Sequence, residues 1–194
     1  MNIDGQAWRT IWLESDQRSV GVIDQTLLPH RLITRTLTRC DQAADAISTM
    51  VVRGAPLIGV TGAYGLMLAL QDDASDAGLS HAFDQLNASR PTAVNLRWAL
   101  ERVRDLVQPL PEAERAAAAR REAALIADED VAMCEAIGEH GLNLFRRLAE
   151  QRPSARQNEP FQVLTHCNAG WLATVDWGTA LAPIYKAHRA GLNI

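Results

Sequence analysis

The chain has 194 residues, of which 47% are apolar, and its 19 Lys and Arg residues against 23 Asp and Glu residues give a formal net charge of -4. This composition is typical of a folded globular protein and excludes collagen-like, disulfide-stapled and disordered chains. The acidic balance argues against nucleic acid as a partner, because the arginines are scattered along the chain without an aromatic-rich basic run.

The first part of the chain predicts a small antiparallel sheet followed by helices. Residues 9–38 are rich in Ile, Val, Leu and Thr, with breaks at residues 15–17 and 28–30, which indicates two or three short strands. Helices are predicted at residues 40–50, 56–71, 81–87, 91–107 and 111–150. Within the last of these, Gly138 and Gly141 are expected points of interruption.

The end of the chain predicts a second kind of architecture. Residues 151–160 are polar and bounded by prolines, which indicates a linker and a boundary between domains at 1–150 and 151–194. A strand at Phe161–His166 and a helix at 176–190 then predict one β-α unit of a parallel sheet. Because a parallel strand needs neighbours, we expect the chain to be a fragment of a longer protein.

Three cysteines, Cys40, Cys134 and Cys167, are widely separated in the sequence. They form no Cys-x-x-Cys pair and no histidine follows at zinc-ligand spacing, so the pattern indicates no disulfide, no metal and no other cofactor. Reduced thiols and an N-terminus without a secretory signal predict a cytoplasmic protein. The uncharged run at residues 55–70 is shorter than the roughly 20 residues of a membrane span, so no membrane partner is expected.

Two arginines stand just ahead of proline-initiated helices. Arg53 is followed by Gly54, Ala55 and Pro56, and Arg90 is followed directly by Pro91. Free amides and the dipole at a helix start attract anions, and an arginine would add a charged fork for phosphate. The alternative is a pair of unrelated tight turns with solvated arginines, and the spacing does not decide between the two.

The run Thr165–Gly170 carries the most reactive side chain of the pattern. Cys167 would follow the carboxyl end of the predicted strand, where open α/β sheets place their ligands. A thiol there could act as an acid or a nucleophile, whereas the alternative is an inert packed cysteine. His166 would point to the opposite face of the strand, so no Cys-His dyad is expected.

Two further patterns have plain structural interpretations. Gly59, Gly62 and Gly65 match neither a dinucleotide fingerprint nor a Walker loop, and they predict close helix packing. The acidic run Asp128–Asp130 points in several directions on a helix and predicts a solvated face.

Taken together, several ordered motifs resemble the methylthioribose-1-phosphate isomerase family, the aldose-ketose isomerases of methionine salvage. The resemblance covers nearly the whole chain. The motifs that carry it are Asp24-Gln25-Thr26-Leu27-Leu28-Pro29, Arg53-Gly54-Ala55-Pro56, Arg90-Pro91-Thr92-Ala93-Val94-Asn95-Leu96 and Thr165-His166-Cys167-Asn168-Ala169-Gly170.

The resemblance implies an α/β protein, with a mostly helical N-terminal domain that carries a small antiparallel sheet and the start of a Rossmann-like domain. It implies that Arg53, Arg90 and the amides of Gly54 and Ala55 bind the phosphate of a sugar phosphate, and that Cys167 is the catalytic thiol. It also implies a homodimer at full length and a catalytic aspartate beyond residue 194. We therefore expect the 194-residue chain to be inactive alone.

Three other functions are compatible with the same fold. The regulatory subunits of the translation initiation factor nucleotide exchanger share it without catalysis, and ribose-1,5-bisphosphate isomerase uses it for a related reaction. A non-catalytic remnant that binds a partner through its β-α unit is the third. The intact Cys167 loop and the Arg90-Pro91-Thr92 run favour an enzyme over a regulatory subunit.

Overall fold

The computed structural model describes residues 1–153 and 159–194. The chain opens with a short hairpin of two strands, β1 (Asn2–Ile3) and β2 (Gln6–Ala7). An antiparallel sheet follows, in the order β3 (Ile11–Leu13), β4 (Val20–Ile23) and β5 (Thr34–Leu37). All of β4 is buried, as expected for a central strand rich in Val and Ile. The predicted small antiparallel sheet is confirmed.

Six α-helices make up most of the described chain. They are α1 (Cys40–Ser48), α2 (Ala55–Asp72), α3 (Asp76–Ser89), α4 (Val94–Val107), α5 (Glu112–Glu150) and α6 (Ala182–Arg189). The central helix is α2, which packs against α1, α3, α4 and α5 and is buried over most of its length. None of the helices in the described ranges combines the length and the apolarity needed to cross a lipid bilayer.

Glycines in α2 allow its neighbours to approach closely. A Cβ added at Gly59 would lie 2.9 Å from the Asn95 carbonyl oxygen of α4, and one at Gly62 would lie 2.4 Å from the Leu96 side chain. At Gly65, an added Cβ would lie 2.7 Å from Leu86 of α3. The predicted packing role of these three glycines is confirmed.

The long helix α5 continues through both of its glycines, so the expected interruptions are wrong. A Cβ at Gly138 would lie 2.9 Å from the Lys186 side chain of α6, and one at Gly141 would lie 2.3 Å from Pro183. The two glycines therefore make room for α6, and the packing gained there offsets their weak helix propensity. Lys186 also donates to Glu139 of α5 at 2.6 Å.

The C-terminal part differs from the predicted β-α unit in two ways. No strand forms over residues 161–166, where the backbone amide of Phe161 donates to the Asn193 carbonyl at 2.7 Å. A strand requires a ladder of hydrogen bonds to a neighbouring strand, and the described residues pair no strand with this segment. The predicted helix also begins six residues later, at Ala182, because Trp177 and Gly178 have positive φ angles of 67° and 78°. Residues 154–158 of the predicted linker lie outside the described residues.

Candidate functional site

The first part of the candidate site is the turn that starts α2. Two buried residues, Val51 and Val52, lead into the exposed Arg53. Gly54 then occupies the N-cap with φ 101° and ψ 134°, a conformation that glycine adopts without strain. No side chain of the described residues caps α2, and its first turn holds no acidic residue. The helix start therefore presents free amides and the positive end of its dipole beside the Arg53 charge.

The turn at Gly54 is in direct contact with the segment that follows Cys167. A Cβ added at Gly54 would lie 2.4 Å from the Ala173 Cα and 2.5 Å from the Ala173 carbonyl oxygen. Ala173 ends a short 3-10 turn, Trp171–Ala173, and is buried. Only a glycine permits this close approach, so the sequence choice at position 54 brings two distant motifs together.

A buried glutamine connects the same two segments. Gln25 donates from Nε2 to the Leu172 carbonyl at 2.7 Å, and its Oε1 accepts from Arg53 Nε at 3.4 Å. Within the described residues, the side chains of Gln25 and Arg53 form no other hydrogen bond. The terminal amino groups of Arg53 therefore have no partner among those residues.

Further hydrogen bonds fix the backbone after Ala173. The Thr10 amide donates to the Val175 carbonyl at 3.0 Å, and the Thr10 hydroxyl donates to the Thr174 carbonyl at 2.5 Å. From α5, Asp130 Oδ2 accepts from the Val175 amide at 2.7 Å. Burial raises the pKa of Asp130 above its usual range, although the Val175 amide acts in the opposite direction. This backbone is thus held by Thr10, directly before β3, and by Asp130 of α5.

The acidic run on α5 is only partly the solvated face that its pattern predicts. Asp128 is exposed and pairs with Arg9, and the exposed Glu129 pairs with Arg102. Asp130, in contrast, is partly buried and binds the Val175 amide. The third acid therefore has a structural role that its position in an acidic run conceals.

Cys167 is the exposed thiol among three free cysteines. Burial raises the pKa of Cys40 to about 11 and that of Cys134 to about 12. Cys167 also has a φ of 76°, which non-glycine residues other than Asn, Asp and His rarely adopt. Its thiol is therefore not packed within the described part of the chain, while its catalytic role stays a prediction. Cys167 lies six positions before Ala173, so the two Cα atoms are at most about 20 Å apart.

Arg90 lies at the same end of the helix pair as Arg53. It caps the C-terminus of α3, and its carbonyl accepts from the Ala93 amide at 3.0 Å, one residue before α4. The contact of Gly59 with Asn95 sets the first turns of α2 and α4 side by side. Arg90 is partly buried, and its guanidinium forms no hydrogen bond or ion pair within residues 1–153 and 159–194. Both arginines thus have donors that the described residues leave unengaged, Arg53 at the start of α2 and Arg90 in the loop that leads into α4.

A pocket of about 170 Å³ adjoins the start of α2. Apolar side chains dominate its rim, where Trp98 is 48% exposed and Met133 is 63% exposed. Its lining consists of Pro56, Gly59, Val60, Asn95, Trp98, Ile126, Glu129, Asp130 and Met133.

The sequence pattern named the arginines and the cysteine as candidates but missed the polar side chains that hold Arg53 and the backbone after Ala173. Gln25, Thr10 and Asp130 have no distinguishing spacing of their own, because their partners lie at least 28 residues away. The one available signal was that Gln25 stands inside the first of the four motifs. In the described part of the chain, no three His, Cys, Asp or Glu side chains gather into a metal-binding group.

Comparison with known proteins gives concordant results. Residues 51–194 match the model of the initiation factor 2 subunit family. Over the whole chain, the sequence is 56% identical to methylthioribose-1-phosphate isomerase of Rhodospirillum centenum, 58% identical to that of Methylorubrum extorquens and 52% identical to that of Escherichia coli O45:K1. The chain spans 51%, 52% and 52% of these relatives, about half of their length.

Two solved structures are equally similar to the described fold. One is the translation initiation factor eIF-2B subunit delta from A. fulgidus, with a TM-score of 0.78 and 36% identity, covering 96% of this chain and 52% of that one. The other is 5-methylthioribose 1-phosphate isomerase from Pyrococcus horikoshii, with a TM-score of 0.78 and 36% identity, covering 96% of this chain and 51% of that one.

Proposed function

Since this chain belongs to the initiation factor 2 subunit family, we propose that it supplies the phosphate-binding half of an enzyme that converts 5-methylthioribose 1-phosphate to 5-methylthioribulose 1-phosphate in methionine salvage. The observation that carries the proposal is the contact between the Arg53–Gly54 turn and the segment after Cys167, at the uncapped start of α2. Identity of 52% to 58% to isomerases over the whole chain supports the choice of reaction.

In the proposed complex, the substrate phosphate lies against the start of α2. The amides of Gly54 and Ala55 donate to it, and Arg53 and Arg90 add charged donors from either side. A doubly charged phosphate suits this arrangement, because helix dipole and guanidinium charge act together on it. Fixing the phosphate also orients the sugar ring, and such positioning lowers the barrier to reaction.

The chemistry requires an acid-base group close to the sugar ring that carries this phosphate. The anomeric oxygen of this substrate is esterified, so the ring cannot open by loss of a hydroxyl proton. An acid must protonate the ring oxygen as the ring C1–O bond breaks, the hydrogen on C2 must reach C1, and the C2 hydroxyl must lose its proton to form the ketone. We assign the acid-base role at this centre to the exposed Cys167, and the family resemblance puts its aspartate partner beyond residue 194.

We further propose that the enzyme acts in the cytoplasm as a homodimer, without nucleic acid or membrane partners. Three free cysteines are consistent with a reducing compartment. The ground for the dimer is the family resemblance, and the dimer would be formed by the longer protein.

A regulatory, non-catalytic role is the second candidate. It is favoured by the similarity to eIF-2B subunit delta, whose TM-score and identity equal those of the isomerase. The exposed Cys167 and the unengaged Arg53 count against this candidate, because a regulatory subunit requires neither a reactive thiol nor a catalytic phosphate site.

A conversion assay tests the proposal. The protein encoded by the complete reading frame that contains these residues is incubated with 5-methylthioribose 1-phosphate, and the ketose product is followed by NMR. We expect conversion by that protein and none by the 194-residue chain alone. Binding of the sugar phosphate without any conversion by the complete protein would support the regulatory role instead.

A further inference from the structure

A single buried side chain joins the two halves of the candidate site. Gln25 begins the 3-10 turn Gln25–Leu27 that follows β4, and it is 3% exposed. Its backbone amide donates to the Val51 carbonyl at 3.0 Å, so its main chain is fixed to the segment that leads into Arg53. The side chain then reaches two segments that are more than 100 residues apart in sequence, at Arg53 and Leu172.

The amide group of Gln25 suits this place because it both donates and accepts. Nε2 donates to the Leu172 carbonyl at 2.7 Å, and Oε1 receives the Arg53 Nε–H at 3.4 Å. Among side chains of this size, a glutamate lacks the donor and a methionine lacks both groups. The contact through Nε also leaves both terminal amino groups of Arg53 without a partner in the described residues, and such a pair of donors suits a phosphate.

We propose that Gln25 is a positioning residue, which couples the phosphate-binding arginine to the backbone that carries the catalytic thiol. It does not touch the substrate. It holds Arg53 in the orientation that receives the phosphate, and it ties that orientation to the 3-10 turn after Cys167. This inference rests on the proposed function and adds to it a side chain that holds the Arg53 motif and the Cys167 motif in a fixed relative position.

Two variants and one control separate this role from simple stability. Gln25→Met keeps the length of the side chain but removes both hydrogen bonds, and Gln25→Glu keeps the acceptor but adds a carboxylate beside Arg53. The control is Thr61→Val, which also deletes a buried side-chain hydrogen bond, from the Thr61 hydroxyl to the Leu57 carbonyl within α2. Thermal unfolding of each protein confirms that it is folded.

The measurement is the Kd for inorganic phosphate in the 194-residue chain, combined with kcat and KM in the complete protein. We expect Gln25→Met to weaken phosphate binding roughly threefold to tenfold, as for a lost hydrogen bond. Gln25→Glu should weaken it more, because its carboxylate pairs with Arg53 and competes with the phosphate. Thr61→Val should leave the Kd within about twofold, as substitutions away from the site do.

A double-mutant cycle provides the decisive readout. If Gln25 acts through Arg53, then Arg53→Ala should cost less phosphate affinity in the Gln25→Met background than in the wild type. Strictly additive effects, or a Thr61→Val loss as large as that of Gln25→Met, would overturn the positioning role. Absence of Arg53-dependent phosphate binding in the wild type would overturn it too.

The outcome for the proposed function is read separately. If the complete protein does not convert 5-methylthioribose 1-phosphate, the proposed reaction fails. A non-additive cycle on phosphate binding would still support the coupling of Gln25 to Arg53, now for another phosphorylated ligand.

Discussion

At the scale of single residues, two positive φ angles have different explanations. Gly54 has a φ of 101°, which side chains rarely adopt, and the Ala173 backbone also leaves no room for a Cβ, so both facts require glycine there. Cys167 adopts φ 76° as an exposed residue with a side chain, which costs roughly 1–3 kcal/mol. Such strain is typical of functional positions and agrees with the role that we propose for the thiol.

The contact at Gly54 can be measured by adding a methyl group. Gly54→Ala should lower the free energy of unfolding by at least about 2 kcal/mol, because backbone strain and a clash with Ala173 add together. The matched control is Gly5→Ala, since Gly5 also has a positive φ, of 83°, but an added Cβ meets nothing within 4 Å. Urea unfolding gives both values. Equal losses in the two variants would show that the contact with Ala173 contributes nothing.

Residue types predicted the arginines and the cysteine, since charge and reactivity are readable from the chain. Gln25 was not predicted as a site residue, because its role depends on partners at Arg53 and Leu172 that only the fold brings together. Asp130 was assigned to a solvated face for the same reason.

At the scale of elements, the spacing of residues along a helix was enough to predict packing where that spacing places small residues on one face. Glycines at every third position predicted close helix packing, and the structure shows that α4 packs closely at Gly59 and Gly62. The strand predicted at residues 161–166 did not form, because a strand depends on neighbours that the described chain does not provide. The glycines of α5 were misjudged, since their value appears only when α6 packs on them.

The turn between β4 and β5 depends on one buried carboxylate. Asp24 accepts from the Thr26 hydroxyl at 2.6 Å and from Arg35 Nε at 2.7 Å. Burial alone would raise the pKa of Asp24, but these hydrogen bonds and the Arg35 charge outweigh it and hold the pKa below its usual value of 3.8. A carboxyl whose pKa is lowered on folding stabilises the protein above its unfolded pKa, and this stabilisation is lost as the pH falls through the folded pKa.

Asp24→Asn should therefore destabilise the protein in a pH-dependent way. At pH 7 we expect a loss of roughly 1.5–3 kcal/mol in the free energy of unfolding, the range for hydrogen bonds to a charged group. The difference from wild type should shrink as the pH falls below about 4, because the unfolded chain then takes up a proton that the folded Asp24 carboxyl, with its lowered pKa, still resists. Denaturant unfolding between pH 3 and 7 measures it, with the exposed Asp84→Asn as control. A difference that does not vary with pH would contradict the assignment.

At the scale of the whole molecule, the long-range contacts converge on one region. The segment at residues 171–175 is held by Thr10, which directly precedes β3, by the start of α2 through Gly54 and by α5 through Asp130. The boundary predicted between residues 1–150 and 151–194 stays a prediction. Residues on its C-terminal side pack directly on elements from its N-terminal side, which sequence composition cannot indicate.

The central claim is that the phosphate site at Arg53 and the thiol of Cys167 belong to one active site. The most direct test is Cys167→Ser in the protein encoded by the complete reading frame, with turnover and sugar-phosphate binding measured on the same preparation. We predict that turnover of 5-methylthioribose 1-phosphate falls by at least about 100-fold, the usual contribution of a positioned acid or base, while the Kd for the sugar phosphate stays within about threefold. Unchanged turnover, or a loss of binding as large as the loss of turnover, would contradict the claim.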